Sequence, residues 1–142
     1  MNAIASPLTF PDKLLIGGEL VTGDGIAEPI LNPATGEAVC SVKEASIEQI
    51  DAAVHSASAA FPAWSRTTPA QRSALLLEIA TSIDQQADYL AGLEAVNCGK
   101  PAHLARQDDL AGTADVFRFF AGAVRCQQGQ LAGEYLPGFT RT

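Results

Sequence analysis

The side chains able to carry covalent or acid–base chemistry are few and widely spaced. Cys98 sits in Asn97-Cys98-Gly99-Lys100-Pro101, where a lysine two residues on could depress a thiol pKa and create a nucleophile. The competing reading is a helix-terminating loop, since Gly99 and Pro101 are stop residues, and that reading carries more weight. Cys40 and Cys126 read as small packing residues. Three cysteines at wide spacing, with no C-x-x-C pair, exclude a zinc knuckle and a disulfide framework. His55 and His103 have no cysteine or histidine at ligand spacing and are expected on solvated helix faces. Asp108-Asp109 puts two carboxylates side by side, but neighbours on a helix do not share a face. They read as solvated charges, not as an acid/base dyad.

Two further constellations imitate binding sites. Gly17-Gly18 and Gly23-Asp24-Gly25 are glycine-rich, yet neither G-x-G-x-x-G nor a Walker pattern is present and no helix follows. They are expected to be turns of a hairpin region. Arg118-Phe119-Phe120 resembles an RNA-binding aromatic patch, but no second aromatic cluster or basic surface accompanies it, so packing is the expected role.

The elements that must position these residues follow from periodicity. Residues 1–12 are Pro-punctuated and aperiodic and read as an arm. Leu14–Ile16 and Glu19–Val21 form strands about Gly17-Gly18, and Gly23–Gly25 makes a second turn. Pro29 to Pro33 is extended, Thr35-Gly36 turns the chain, and Ala38–Val42 is a strand. Ser46-Ile47-Glu48-Gln49 is a capping box, followed by an apolar face of Ile47, Ile50, Val54, Ala57 and Phe61 that Pro62 ends. Thr68-Pro69-Ala70-Gln71 starts a second helix, with Leu75, Leu76, Ile79 and Ile83 as its buried stripe. A third helix spans Asp84 to Val96. A last, long one after Pro101 carries Leu110, Ala114, Phe117, Ala121 and Val124. Glu134–Leu136 begins a strand interrupted by Pro137-Gly138.

Composition agrees with a packed domain. In 142 residues, 47% are apolar and 18% charged, which excludes a disordered tail. A net charge of −7 without any Lys/Arg cluster excludes nucleic acid and anionic membrane as partners. No apolar run is long enough to span a bilayer, and no secretory signal is read at the start, so a cytoplasmic setting is expected.

Taken in order, Asn32-Pro33-Ala34-Thr35-Gly36-Glu37, Phe61-Pro62-Ala63-Trp64, Arg72, Asn97 to Pro101 and Asp115 to Gly122 resemble the opening of an aldehyde dehydrogenase. The resemblance covers residues 13–142, and its wording is similar to the aminobutyraldehyde (1-pyrroline) and betaine-aldehyde branch. It implies the α/β aldehyde dehydrogenase fold, of which this mostly helical chain supplies the N-terminal strands and four helices. It divides the chain into an arm (1–12), the first part of the cofactor-binding domain (13–130) and the start of an oligomerisation hairpin (131–142).

The complete enzyme that the resemblance implies is a homotetramer or homodimer. It oxidises a small-molecule aldehyde, 4-aminobutanal, with NAD or NADP. Its catalytic cysteine and glutamate lie further along the family's sequence, so no residue here is catalytic or cofactor-binding. These 142 residues alone are expected to bind no cofactor and to be inactive. By the same resemblance, Asp108 and Asp109 stand at the substrate entry, where a carboxylate would attract a substrate ammonium. Ile30, Leu31 and Asn97 match a Na⁺ or K⁺ site, with an amide in place of the usual carboxylate at Asn97; the simpler role for Asn97 is helix capping. The alternative to this enzyme reading is a free-standing, non-catalytic helical interaction module. On the enzyme reading the helices' apolar faces await a sheet, so exposed hydrophobic surface is expected.

Overall fold

The computed structural model describes residues 8–126 and the backbone of two later strands, Gly133–Leu136 and Phe139–Arg141. Short strands come first and helices follow. β1 (Leu14–Ile16) pairs antiparallel with β2 (Glu19–Val21), Leu14 opposite Val21. The two-residue turn between them needs positive φ at both positions, which Gly17 (63°) and Gly18 (86°) supply. β3 (Ala27–Leu31) pairs antiparallel with β4 (Ala38–Lys43), and the register shifts between Ile30 and Leu31. The turn between them closes on Asn32, whose Oδ1 accepts from the Ala34 amide at 2.9 Å and whose carbonyl accepts from the Gly36 amide at 2.7 Å. β5 (Gly133–Leu136) and β6 (Phe139–Arg141) make a third antiparallel pair, and the three hairpins do not join into one sheet.

The expected second turn at Gly23–Gly25 is instead a close crossing. The Gly25 amide donates to the Glu44 carbonyl at 2.9 Å, and a Cβ on Gly23 would lie 2.3 Å from the Lys43 and Glu44 carbonyl oxygens. Glycine is required there by space, not by turn geometry.

Both capping boxes form as expected. α1 (Ile47–Trp64) starts at Ser46 and α2 (Pro69–Gln85) at Thr68, each side chain accepting from the amide three residues on. Pro62 does not end α1. It lies inside the last turn, where its missing N–H leaves only one earlier carbonyl short. The end comes at Ser65 to Thr67, whose amides and hydroxyls take the final carbonyls: Ser65 N–H to Phe61, Thr67 Oγ1 to Trp64 at 2.7 Å.

The boundary between the next two helices also differs from expectation. α2 runs to Gln85, so Asp84 belongs to it and not to the helix that follows. α3 (Ala87–Cys98) continues past Val96 and stops at Gly99, in the left-handed region at φ 78°. Asn97 is therefore inside α3; the cap is Gly99, whose amide donates to the Ala95 carbonyl at 3.1 Å. The long final helix is in three parts: a short α4 (Ala102–Leu104), a π-helical segment (Ala105–Leu110) and α5 (Ala111–Ala123).

The core is made of small side chains. Ala80, Ala91, Ala105, Ala114 and Ala121 are buried, with Ser73 beside them, and no large side chain among the described residues is fully enclosed. α5 presents the expected stripe: Ala114 and Ala121 are buried, with Leu110, Phe117 and Val124 half-buried, and it packs against α2. On α2, Leu76, Ile79 and Ile83 are half-buried as expected, but Leu75 is exposed. The apolar face of α1 is largely uncovered; Ile47, Ile50, Val54 and Phe61 are exposed and the helix has no buried residue. Phe119 and Phe120 are likewise exposed, so the core packing expected of them is not realised; their rings meet each other edge to face at 5.3 Å between centroids. Cys126 is exposed too, so the packing role expected of it is not realised.

Candidate functional site

Four parts of the chain meet around a cleft of about 580 Å³. The end of the N-terminal arm contributes Phe10 and Pro11, and β3 and β4 contribute Ile30, Cys40 and Val42. α3 supplies Leu90, Leu93, Glu94 and Asn97; the opposite wall is Ala105, Asp109 and Leu110 of the π segment, with Thr113 of α5. The arm is held in place by Tyr89, whose hydroxyl donates to the Thr9 carbonyl at 2.5 Å. The walls are mainly apolar, with polar atoms converging from Glu94, Asn97, Asp109 and Thr113, which is the usual make-up of a small-molecule site.

Three of the residues singled out from sequence thus share one cleft. Asp109 faces it, whereas its neighbour Asp108 is exposed and does not line it, as expected for adjacent helical positions. Ile30 and Asn97 border it, and Leu31, one residue beyond the register shift, is exposed. The β3–β4 turn and the end of α3 are close neighbours: a Cβ on Gly99 would sit 3.1 Å from Pro33 Cγ. Backbone carbonyls and an amide oxygen are donors suited to a hard alkali cation, not to a transition metal. No group of three His, Cys, Asp or Glu side chains able to hold a metal occurs among the described residues.

Cys98 and Lys100, weighed in sequence as a possible thiol–cation pair, have different partners. Cys98 Sγ donates to Glu94 Oε1 at 3.2 Å, while Lys100 Nζ reaches Asp109 Oδ2 at 2.5 Å. Cys98 is the last residue of α3, in agreement with the helix-terminus reading. The Lys100 pKa is raised, first by its hydrogen bond to Asp109; desolvation opposes this, and the charges of Asp109, Asp108 and Glu94 each add a smaller push upward. Two more ion pairs brace the helices, Arg106 with Asp88 at 2.5 Å and Arg118 with Asp84. Each involves partly or largely exposed groups and is worth little on its own. His55 is exposed and hydrogen-bonds to the carbonyl of Asp51 one turn back, at 2.8 Å, and His103 is exposed, as expected of both.

Sequence reading did not find Glu94, nor the pairing of Lys100 with Asp109. The latter two are nine positions apart, with Asp109 inside the π segment, so no regular helical spacing announces the contact. It also missed a second use of the first capping box. Gln49 accepts from the Ser46 amide at 3.0 Å and, across the surface, accepts from the Asp24 amide and donates to the Thr22 carbonyl, both at 2.9 Å.

Comparison with known proteins places this architecture. Residues 21–140 match the aldehyde dehydrogenase family. The chain is 42% identical over 100 residues to the fluoroacetaldehyde dehydrogenase of Streptantibioticus cattleyicolor, covering 70% of this chain and 20% of that protein. It is 39% identical over 119 residues to aldehyde dehydrogenase 2 (NAD(P)+) of Saccharomyces cerevisiae, covering 82% and 24%. The NAD+ complex of an aldehyde dehydrogenase from Bacillus cereus superimposes with a TM-score of 0.81 at 37% identity, over 87% of this chain and 26% of that one. The chain therefore spans about a fifth to a quarter of the length of the proteins it matches. With the family match spanning most of its length, and strands and helices superimposing on solved members, the chain belongs to the aldehyde dehydrogenase family.

Proposed function

We propose that these residues open the cofactor-binding domain of an NAD- or NADP-dependent aldehyde dehydrogenase that oxidises a small amino-aldehyde, 4-aminobutanal, to its acid. The observation that carries the dehydrogenase part is the family match over residues 21–140. The amino-aldehyde part rests on the resemblance at Asn97–Pro101 and Asp115–Gly122, and it is supported by Asp109, a carboxylate on the wall of the cleft. Asp108, exposed beside it, adds negative potential at the entry.

In this reading NAD(P)+ accepts a hydride from the substrate carbon. The work of this chain is to form the scaffold and to receive the substrate's cationic end. None of its three cysteines is placed as a nucleophile: Cys98 is committed to Glu94, Cys40 is a half-buried wall residue, and Cys126 lies just beyond α5. In this reading the 142 residues alone are inactive and bind no cofactor. Residues 1–12 are the arm, 13–130 the domain portion, and 131–142, with β5 and β6, the start of an oligomerisation hairpin in a cytoplasmic homotetramer or homodimer. The Ile30 and Leu31 carbonyls with the Asn97 amide oxygen form a Na⁺ or K⁺ site, consistent with the register shift at Ile30–Leu31 and with Ile30 and Asn97 bordering one cleft.

The test is steady-state NAD(P)H formation by the complete polypeptide with 4-aminobutanal and with butanal. The expected result is a lower KM for 4-aminobutanal, and a raised one in Asp109→Ala. An Asp109→Ala enzyme with unchanged KM for 4-aminobutanal removes the amino-aldehyde reading; absence of NAD(P)H formation with any aldehyde removes the dehydrogenase reading.

A further inference from the structure

Asp109 already holds a cation. Its Oδ2 receives the Lys100 ammonium at 2.5 Å, and the two side chains are 44% and 35% exposed, so water reaches both. The loop that aims Lys100 is short and constrained, between the left-handed Gly99 and Pro101. A lysine side chain is four methylenes ending in an ammonium, which is the same chemistry as the cationic end of a short amino-aldehyde. The wall next to the pair adds a second carboxylate, Glu94, and apolar surface from Leu93 and Leu110.

We infer that Lys100 is an internal competitor for the cation site at Asp109, an ammonium that a substrate's ammonium must displace. The inference rests on the amino-aldehyde reading above and concerns what sets the affinity of that site. The event is an exchange of one ammonium for another on the same carboxylate, with no bond made or broken. Asp108 and Glu94 are close enough to act on Lys100 by charge, so the displaced lysine keeps anionic neighbours. Deprotonation is not the release route, since those same groups favour the charged form of the lysine. A partly exposed ion pair is weak enough for such exchange to occur readily.

The experiment uses the complete enzyme and three variants, Lys100→Met, Lys100→Arg and Asp109→Asn. It reads KM for 4-aminobutanal relative to butanal, and inhibition by n-butylammonium. Lys100→Met is expected to lower the KM ratio, and the inhibition constant, by about two- to fivefold, the range an exposed ion pair can supply. Lys100→Arg is expected to restore both, and Asp109→Asn to raise both. If Asp109→Asn raises the ratio but Lys100→Met leaves it unchanged or raises it, the competitor role is overturned and the amino-aldehyde reading stands. If Asp109→Asn changes neither quantity, the reading itself falls and the inference with it. A loss that is equal for both aldehydes in Lys100→Met marks the lysine as a support of its loop and also overturns the inference. Should Lys100→Met fail to fold, Lys100→Gln removes the charge while keeping a hydrogen-bond donor and is read the same way.

Discussion

α5 and α1 carry the same kind of apolar stripe, but one is closed and the other open. On α5, Ala114 and Ala121 are completely or almost completely enclosed against α2. On α1, Val54 and Phe61 are each 63% exposed and nothing on the helix is buried. A helical period says that a face needs cover; it does not say which element covers it, or whether that element lies within the same 142 residues. What does separate the two stripes is side-chain size. The closed seam is built on alanines, which let two helices approach closely, whereas the open face displays isoleucine, valine and phenylalanine.

The largest expected effect breaks the closed side. Ala114→Leu forces three extra carbons into a site with 0% exposure and should destabilise the chain by about 3 kcal/mol, as overpacking does. Val54→Ser on the open face should change stability by no more than about 0.5 kcal/mol, because there is no packing to lose. Urea midpoints of the two variants decide the matter. Equal losses would mean that α1 is buried in solution. A dye that reports exposed apolar surface should bind less to Val54→Ser than to the parent chain.

Next in size is the joint that brings the hairpin to the end of α3. Gly99 has φ 78°, and a Cβ there would meet Pro33 at 3.1 Å. Gly99→Ala combines a left-handed backbone with a tight contact and should cost about 1–2 kcal/mol. Since Lys100 leaves from this residue, the variant should also loosen the Lys100–Asp109 pair, seen as faster side-chain motion of Lys100 by NMR. A stability unchanged from the parent would show that the loop reshapes freely.

A third effect asks what holds α1 if its apolar face does not. The two capping boxes look alike in sequence, yet they are used differently. Gln71 stays local, with Thr68, whereas Gln49 also grips the Thr22 carbonyl and Asp24 amide. Gln49→Ala should therefore cost about 1 kcal/mol or somewhat more and speed hydrogen exchange along α1, while Gln71→Ala should cost a few tenths less and act only on the first turn of α2. Identical exchange profiles would remove the clamp from the account.

These contrasts also show where the sequence was legible. The two capping boxes and the Gly17-Gly18 turn are local statements, written in residues within four positions of each other, and they formed as read, whereas the Gly23–Gly25 turn and the Asn97 cap did not. Pro62 misled because a proline near the end of a helix deprives so few carbonyls. The break at Gln86 carries neither Gly nor Pro, so it was read a few residues early, at Asp84, and the π segment has no compositional mark and was not seen. The cleft was legible only in part. Ile30 and Asn97 were singled out together as a cation site and Asp109 separately, but their sharing one cleft depends on α3 packing against the π segment and β3. A Lys100–Cys98 pairing was the lesser of two sequence readings, and the structure gives these residues different partners, Asp109 and Glu94.

The smallest effect sets the two regions against each other by pH. Glu48, in the first turn of α1, has its carboxyl held below the ordinary value of 4.5, by its backbone hydrogen bond first and the Ser46 side chain second. A depressed carboxyl contributes stability above its unfolded pKa and loses it as pH falls through the folded value, so this contribution to α1 fades at acid pH. Lys100, at the edge of the cleft, is raised above the ordinary 10.5, so its contribution is complete below that value and is lost as pH climbs through the higher folded one. Between these ends neither group titrates, and neither should tilt the melting temperature near neutrality. Glu48→Gln should flatten the acid arm of the curve alone, and Lys100→Met the alkaline arm alone. Both groups lie at the surface, so the slopes will be shallow and salt will reduce them further. If Glu48→Gln instead altered the alkaline arm, the open helix and the cleft would be electrostatically coupled, and the two arms could not be assigned to one group each.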